Sequence, residues 1–91
     1  MNETDTFIDV ACASALQGAA EYLLAHNIDR SSLDRDKLLT TLTGHISACM
    51  ESALTDANAA FQAHMPEVAN ATFVASMRLA GIRAVKEMVT N

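Results

Sequence analysis

The sequence predicts an all-α protein of three long antiparallel helices, at about residues 5–25, 34–64 and 66–90. Three observations carry that expectation. The 91-residue chain holds one proline and three glycines, so almost nothing in it interrupts a helix. Alanine, the strongest helix former, supplies much of the 51% apolar fraction. Apolar residues also recur at spacings of three and four, the period of a helix face.

The first helix has Asn2, Thr4 or Asp5 as candidate N-cap, and Asp5 and Asp9 suit its positive end. His26 and Asn27 suit its C-terminus, asparagine being tolerated in the left-handed position. Ile8, Cys12, Ala15, Leu16, Ala19 and Leu23 form the expected buried stripe. Phe7, Val10 and Ala25 lie well off it. The helix is therefore apolar most of the way round, which predicts packing against more than one neighbour.

Residues 28–33 read as a connection, with Asp29, Ser31 and Ser32 as turn formers. The second helix is expected to start at Leu33 or Asp34 with a serine or Asp34 as cap. It runs to His64, about 45 Å at 1.5 Å per residue. Leu39, Leu42, Ile46, Met50, Ala53, Ala57, Phe61 and His64 mark its stripe. Their spacing repeats every eleven residues, which favours a nearly straight helix over a left-handed supercoil. Gly44 is its expected weak point, by about 1 kcal/mol relative to alanine.

Pro66 suits the first position of the third helix, where its missing N–H is no loss. Inside a continuous helix it would cost about 3 kcal/mol, so a tight turn is expected rather than one kinked rod. The third helix carries two apolar stripes. Phe73, Val74, Met77, Ala80, Gly81, Ala84 and Met88 make the first. Val68, Ala71, Ala75, Ile82 and Val89 make the second, roughly opposite. Two other helices can bury one stripe, and no fourth element is available for the second. An apolar face of that kind marks an interaction surface. A second copy is the simplest partner, because symmetric dimers are the commonest assembly. The expected interface is thus Val68, Ala71, Ala75, Ile82 and Val89, with Arg78 and Lys86 at its edge. On this reading Ile82→Asp dissociates the oligomer without unfolding the chain.

The chain's length fits a single domain, and 51% apolar against 19% charged residues is too apolar for disorder. The net charge of −5 argues against binding a phosphate backbone, which needs clustered Lys and Arg. Residues 1–28 carry −4, residues 29–66 carry −2 and residues 67–91 carry +1. The acidic N-terminus does not resemble an export signal. Asp9, Gln17 and Glu21 interrupt residues 7–25, so no membrane span is expected there. A cytoplasmic location follows as the default, with Cys12 and Cys49 reduced.

No constellation of residues carries identifiable chemistry. His45 and Cys49 stand four apart, fit for two zinc ligands, but a site needs three or four. His26 and His64 read as helix caps. Asp34 and Asp36 begin like a calcium loop, but Leu38 and Leu39 replace the ligand and glycine such a loop requires. There is no Gly-rich phosphate loop and no nucleophile with a spaced base. No enzyme activity, cofactor or metal is expected. The sequence points to a small non-catalytic helical interaction or scaffolding protein, homo-oligomeric in state. Two alternatives stay open. One is an acidic inhibitor of the phage type, whose Glu3, Asp5, Asp9 and Glu21 engage a basic host partner. The other is a ligand- or metal-binding bundle around Cys12, His45, Cys49 and His64.

Overall fold

A computed structural model describes residues 3–90, with side chains from Phe7 to Thr90. The elements are α1 (Glu3–Ala25), one 3-10 turn (Arg30–Ser32), α2 (Arg35–Gln62) and α3 (Pro66–Thr90). The fold is all-α, as the scarcity of helix breakers requires. At its N-terminus α1 is already helical at Thr4 and Asp5, so neither caps it. Asn2, the third candidate, lies outside the described residues.

Both helix–helix turns use the same local device. Asn27 takes φ 55°, in the left-handed region. The Asn27 N–H donates to the Leu24 carbonyl at 3.3 Å and the Ile28 N–H to the Leu23 carbonyl at 2.9 Å. These two bonds satisfy carbonyls that the helix end would otherwise leave open, and Ile28 folds back onto the cluster that holds Leu23. At the other turn α2 stops at Gln62, two residues short of the expected His64. His64 takes φ 61°. Its N–H donates to Phe61 at 3.0 Å, and Met65 N–H to Ala60 at 2.9 Å. His64 is the turn residue rather than the last helical one. The Met65 carbonyl then accepts from Ala69 at 3.0 Å, starting α3 with Pro66 in its first turn.

Between α1 and α2 the expected turn formers act through their side chains. The Asp29 carboxylate accepts from the Ser31 N–H at 2.9 Å and the Ser31 hydroxyl at 2.8 Å. The Asp34 carboxylate caps α2, accepting from the N–H groups of Asp36 and Lys37 at 3.0 and 3.2 Å. From there α2 runs unbroken through Gly44.

The long helix α3 is the spine. α1 and α2 each pack along it and touch one another little. Phe7 meets Phe73 edge to face at one end, ring centroids 5.1 Å apart, and Leu23 clusters with Val85 at the other. α1 therefore runs parallel to α3. Leu42 joins the cluster of Ala84 and Val85, while Ala57 joins that of Ala69 and Phe73, so α2 runs antiparallel. The body measures 43 × 24 × 21 Å.

Small residues set the depth of this packing. Gly18 lies against the backbone of Arg78, and Gly81 against the carbonyl of Ala15. A Cβ at either glycine would overlap the opposite backbone. That contact decides which face α1 buries, and it overturns the expected stripe. Ala15, Ala19 and Leu23 are buried as expected, but Ile8 and Leu16 are half-exposed and Cys12 is exposed. The buried row is Ala11, Ala15, Ala19 and Leu23, spaced by four, with half-buried Phe7 at its head and Ser14 and Gly18 beside it. Phe7 and Val10, expected off the stripe, pack on the core. In α2 the centre of the expected stripe is buried or half-buried, whereas its ends, Leu39, Phe61 and His64, are exposed. In α3 every residue of the first stripe is buried or half-buried, joined by Ala69 and Val85.

Candidate functional site

The outer face of α3 is the side that neither α1 nor α2 covers. Its residues follow from the helix period. With α1 on one flank and α2 on the other, Val68, Ala71, Ala75, Leu79, Lys86 and Val89 remain exposed. Val68 is 50% and Leu79 43% exposed, large fractions for apolar side chains on one face. Ile82 belongs to this row but is half-buried against its own chain. The second stripe read from the sequence thus falls on the uncovered face. Leu79 was missing from it, although its position four residues after Ala75 and seven before Lys86 marks it as a member.

Arg78, placed at the edge of this face, is engaged within the chain. Its Nη2 donates to the Glu21 carboxylate of α1, while its Nε is buried without a partner. The attraction between the acidic first helix and the basic last one therefore operates inside one chain at this pair. Arg83 and Lys86 are exposed.

α1 presents an outer face of its own. Leu16 is half-exposed and Leu24 is 83% exposed, with Cys12, Ala13 and Ala20 exposed near them. Of the acidic residues expected to engage a basic partner, Asp9 is exposed and Glu21 is tied to Arg78. The side chains of Glu3 and Asp5 lie outside the described residues.

All three phenylalanines of the chain converge on one cleft at the α2–α3 turn end of the bundle. It encloses about 850 Å³. Phe73 forms its floor, Phe7 and Val10 line it from α1, and Leu54 and Phe61 from α2. Asn58 and Asn70 are the polar groups among the described lining residues. The cleft is lined from α1, α2 and α3 together, at an end where α1 and α2 touch one another little, a long-range arrangement that no local pattern in the sequence signals.

The candidate ligand set of Cys12, His45, Cys49 and His64 is not brought together. Cys12 stands on the outside of α1 and His64 in the α2–α3 turn. His45 Nε2 faces Glu87 Oε2 on α3 at 3.4 Å, and the Cys49 thiol lies 3.6 Å from the Ile46 carbonyl of its own helix. Among the described residues no three His, Cys, Asp or Glu side chains gather as a metal site. No helix among them is long and apolar enough to cross a membrane. Comparison of the chain with protein-family models, with curated proteins and with solved structures gives no match.

Proposed function

We propose that this chain is a small non-catalytic interaction protein of the cytoplasm. It assembles with copies of itself through the outer face of α3 and acts as a scaffold or adaptor. The observation that carries this reading is the uncovered row Val68, Ala71, Ala75, Leu79 and Val89, with Lys86 at its edge. Contiguous apolar surface on a soluble chain marks a place where another surface sits.

The surface area supports the same reading. The chain exposes 6123 Å². A folded monomer of 9.7 kDa is expected to expose about 5,100 Å². The excess of about 1,000 Å² is comparable to the ~800 Å² that each partner buries in a standard interface.

Mass measurement in solution tests the proposal. Native mass spectrometry and light scattering on the purified chain are expected to give a dimer. Leu79→Asp, at an exposed position where a charge leaves the fold intact, is expected to give a monomer with unchanged helical circular dichroism. Leu79 is the better probe than Ile82, because Ile82 also packs on its own chain. A monomeric parent, or a Leu79→Asp variant that keeps the parent's mass, overturns the proposal.

A further inference from the structure

We infer that two copies pair through α3 in antiparallel fashion, with the two-fold axis crossing the helix between Arg78 and Leu79. This rests on the proposal that the outer face of α3 is a self-association surface, and it adds the geometry of that association. Val68, Ala75, Ile82 and Val89 stand seven residues apart along this face. A seven-residue repeat keeps one seam facing a partner helix. The seam spans about 32 Å at 1.5 Å per residue, and its midpoint falls between Arg78 and Leu79.

Three physical terms choose the antiparallel direction. The first is volume. Antiparallel pairing about this midpoint sets Ile82 of one copy against Ala75 of the other, large against small. Parallel pairing sets isoleucine on isoleucine and alanine on alanine, which crowds one layer and leaves a void in the other. The second is charge. Lys86 lies opposite Ala71 of the second copy, four residues or about 6 Å along the axis from that copy's Glu67, whereas the parallel arrangement stacks Lys86 on Lys86 and Glu67 on Glu67. The third is the helix dipole, whose like poles are adjacent in a parallel pair and opposed in an antiparallel one.

The axis brings the two copies of Arg78 near each other. Each already carries the Glu21 carboxylate from its own α1, so that approach does not set two unpaired cations together. In this arrangement the exposed Glu21–Arg78 pair shields the centre of the interface.

Cysteine cross-linking tests the direction. Cys12→Ser and Cys49→Ala remove the native thiols. In that background Leu79→Cys lies beside the axis and is expected to convert to the covalent dimer mass under mild oxidation. Val68→Cys lies about 30 Å from its own copy and is expected to stay uncross-linked alone, but to cross-link when mixed with Val89→Cys. Self-cross-linking of Val68→Cys means parallel pairing and overturns the inference. A parent that is a dimer by mass, with no cross-link at any of the three positions, also overturns it and leaves self-association standing through another face. A parent that is a monomer by mass overturns both readings at once.

Discussion

Replacing Gly81 with alanine separates two effects that the same substitution produces elsewhere in this chain. Glycine inside a helix is about 1 kcal/mol worse than alanine. At Gly44 nothing lies within 4 Å of the added methyl group, so Gly44→Ala should realise that gain in full. The melting temperature should rise by about 4–8 °C, the shift that 1 kcal/mol produces in a domain this size. At Gly81 the new Cβ would stand 2.6 Å from the carbonyl carbon of Ala15, and at Gly18 2.8 Å from that of Arg78. Ordinary carbon contacts lie at about 3.5–4.0 Å. α1 and α3 must therefore separate by more than about 1 Å, because the carbonyl oxygens stand closer still and the obstacle is backbone that cannot rotate away. Overpacking of a close-packed site costs about 1–3 kcal/mol, and immovable backbone places this case at the upper end. After the ~1 kcal/mol gain in helix propensity, Gly81→Ala should lose about 2 kcal/mol and melt about 8–16 °C lower. Gly18→Ala should behave alike. Thermal unfolding followed by circular dichroism at fixed concentration measures all three. If Gly81→Ala melts at or above the parent, the α1–α3 contact does not rest on the glycines and the argument fails.

Two further substitutions probe the turns. His64 holds a left-handed conformation at φ 61°, which costs a non-glycine residue about 1–2 kcal/mol. His64→Gly loses about 0.5–1 kcal/mol to the greater freedom of glycine in the unfolded chain. The variant should gain the difference, about 0.5–1 kcal/mol, visible as a higher urea midpoint with an unchanged slope. A lower midpoint would show that the imidazole makes a contact worth more than the strain. The Asp29 carboxyl is held below its ordinary value of 3.8 by the bond from the Ser31 N–H, then by that from the Ser31 hydroxyl. Its folded value is lowered, so the contribution to the 3-10 turn is present above the ordinary value and fades as pH falls through the lowered one. The Ser31 amide resonance should titrate with a midpoint below 3.8, and Asp29→Asn should abolish that titration.

The elements of this fold were legible because local chemistry sets them. The single proline, the Asp34 cap and the left-handed Asn27 act over a few residues, and a linear reading finds them. The face of α1 was not legible. Counting apolar residues by period gives weight to Ile8 and Leu16, the bulky ones, yet Ala15 and Gly18 form the contact. What selects them is the backbone of α3 at Arg78 and Gly81, which stands sixty or more positions away. The outer row of α3 was legible for the converse reason. It was identified by what two neighbouring helices leave over, a count that does not depend on which side of α1 is buried. The Phe7, Phe61 and Phe73 cleft is built from three helices at once, and no short stretch of sequence encodes how they come together.

The alanine-rich composition connects the packing to the proposed assembly. Small side chains let α1 lie close on α3, and close contact gives many weak attractions between backbones. The same small side chains remove little apolar area from water when they are buried, at about 25 cal/mol per Å². Phe73, Met77 and Val85 are the largest fully buried side chains, a short set for a domain that must offset the ordering of its whole chain. Meanwhile Leu16, Leu24, Val68, Leu79 and Val89 remain on the outside. The apolar area that could add most to stability thus lies on surfaces that a single copy cannot bury. In the proposed assembly, covering the α3 row with a second copy moves the Val68, Leu79 and Val89 part of that exposed area into core. It does so on the helix that already holds the other two in place, so stability gained at the interface reaches the entire bundle.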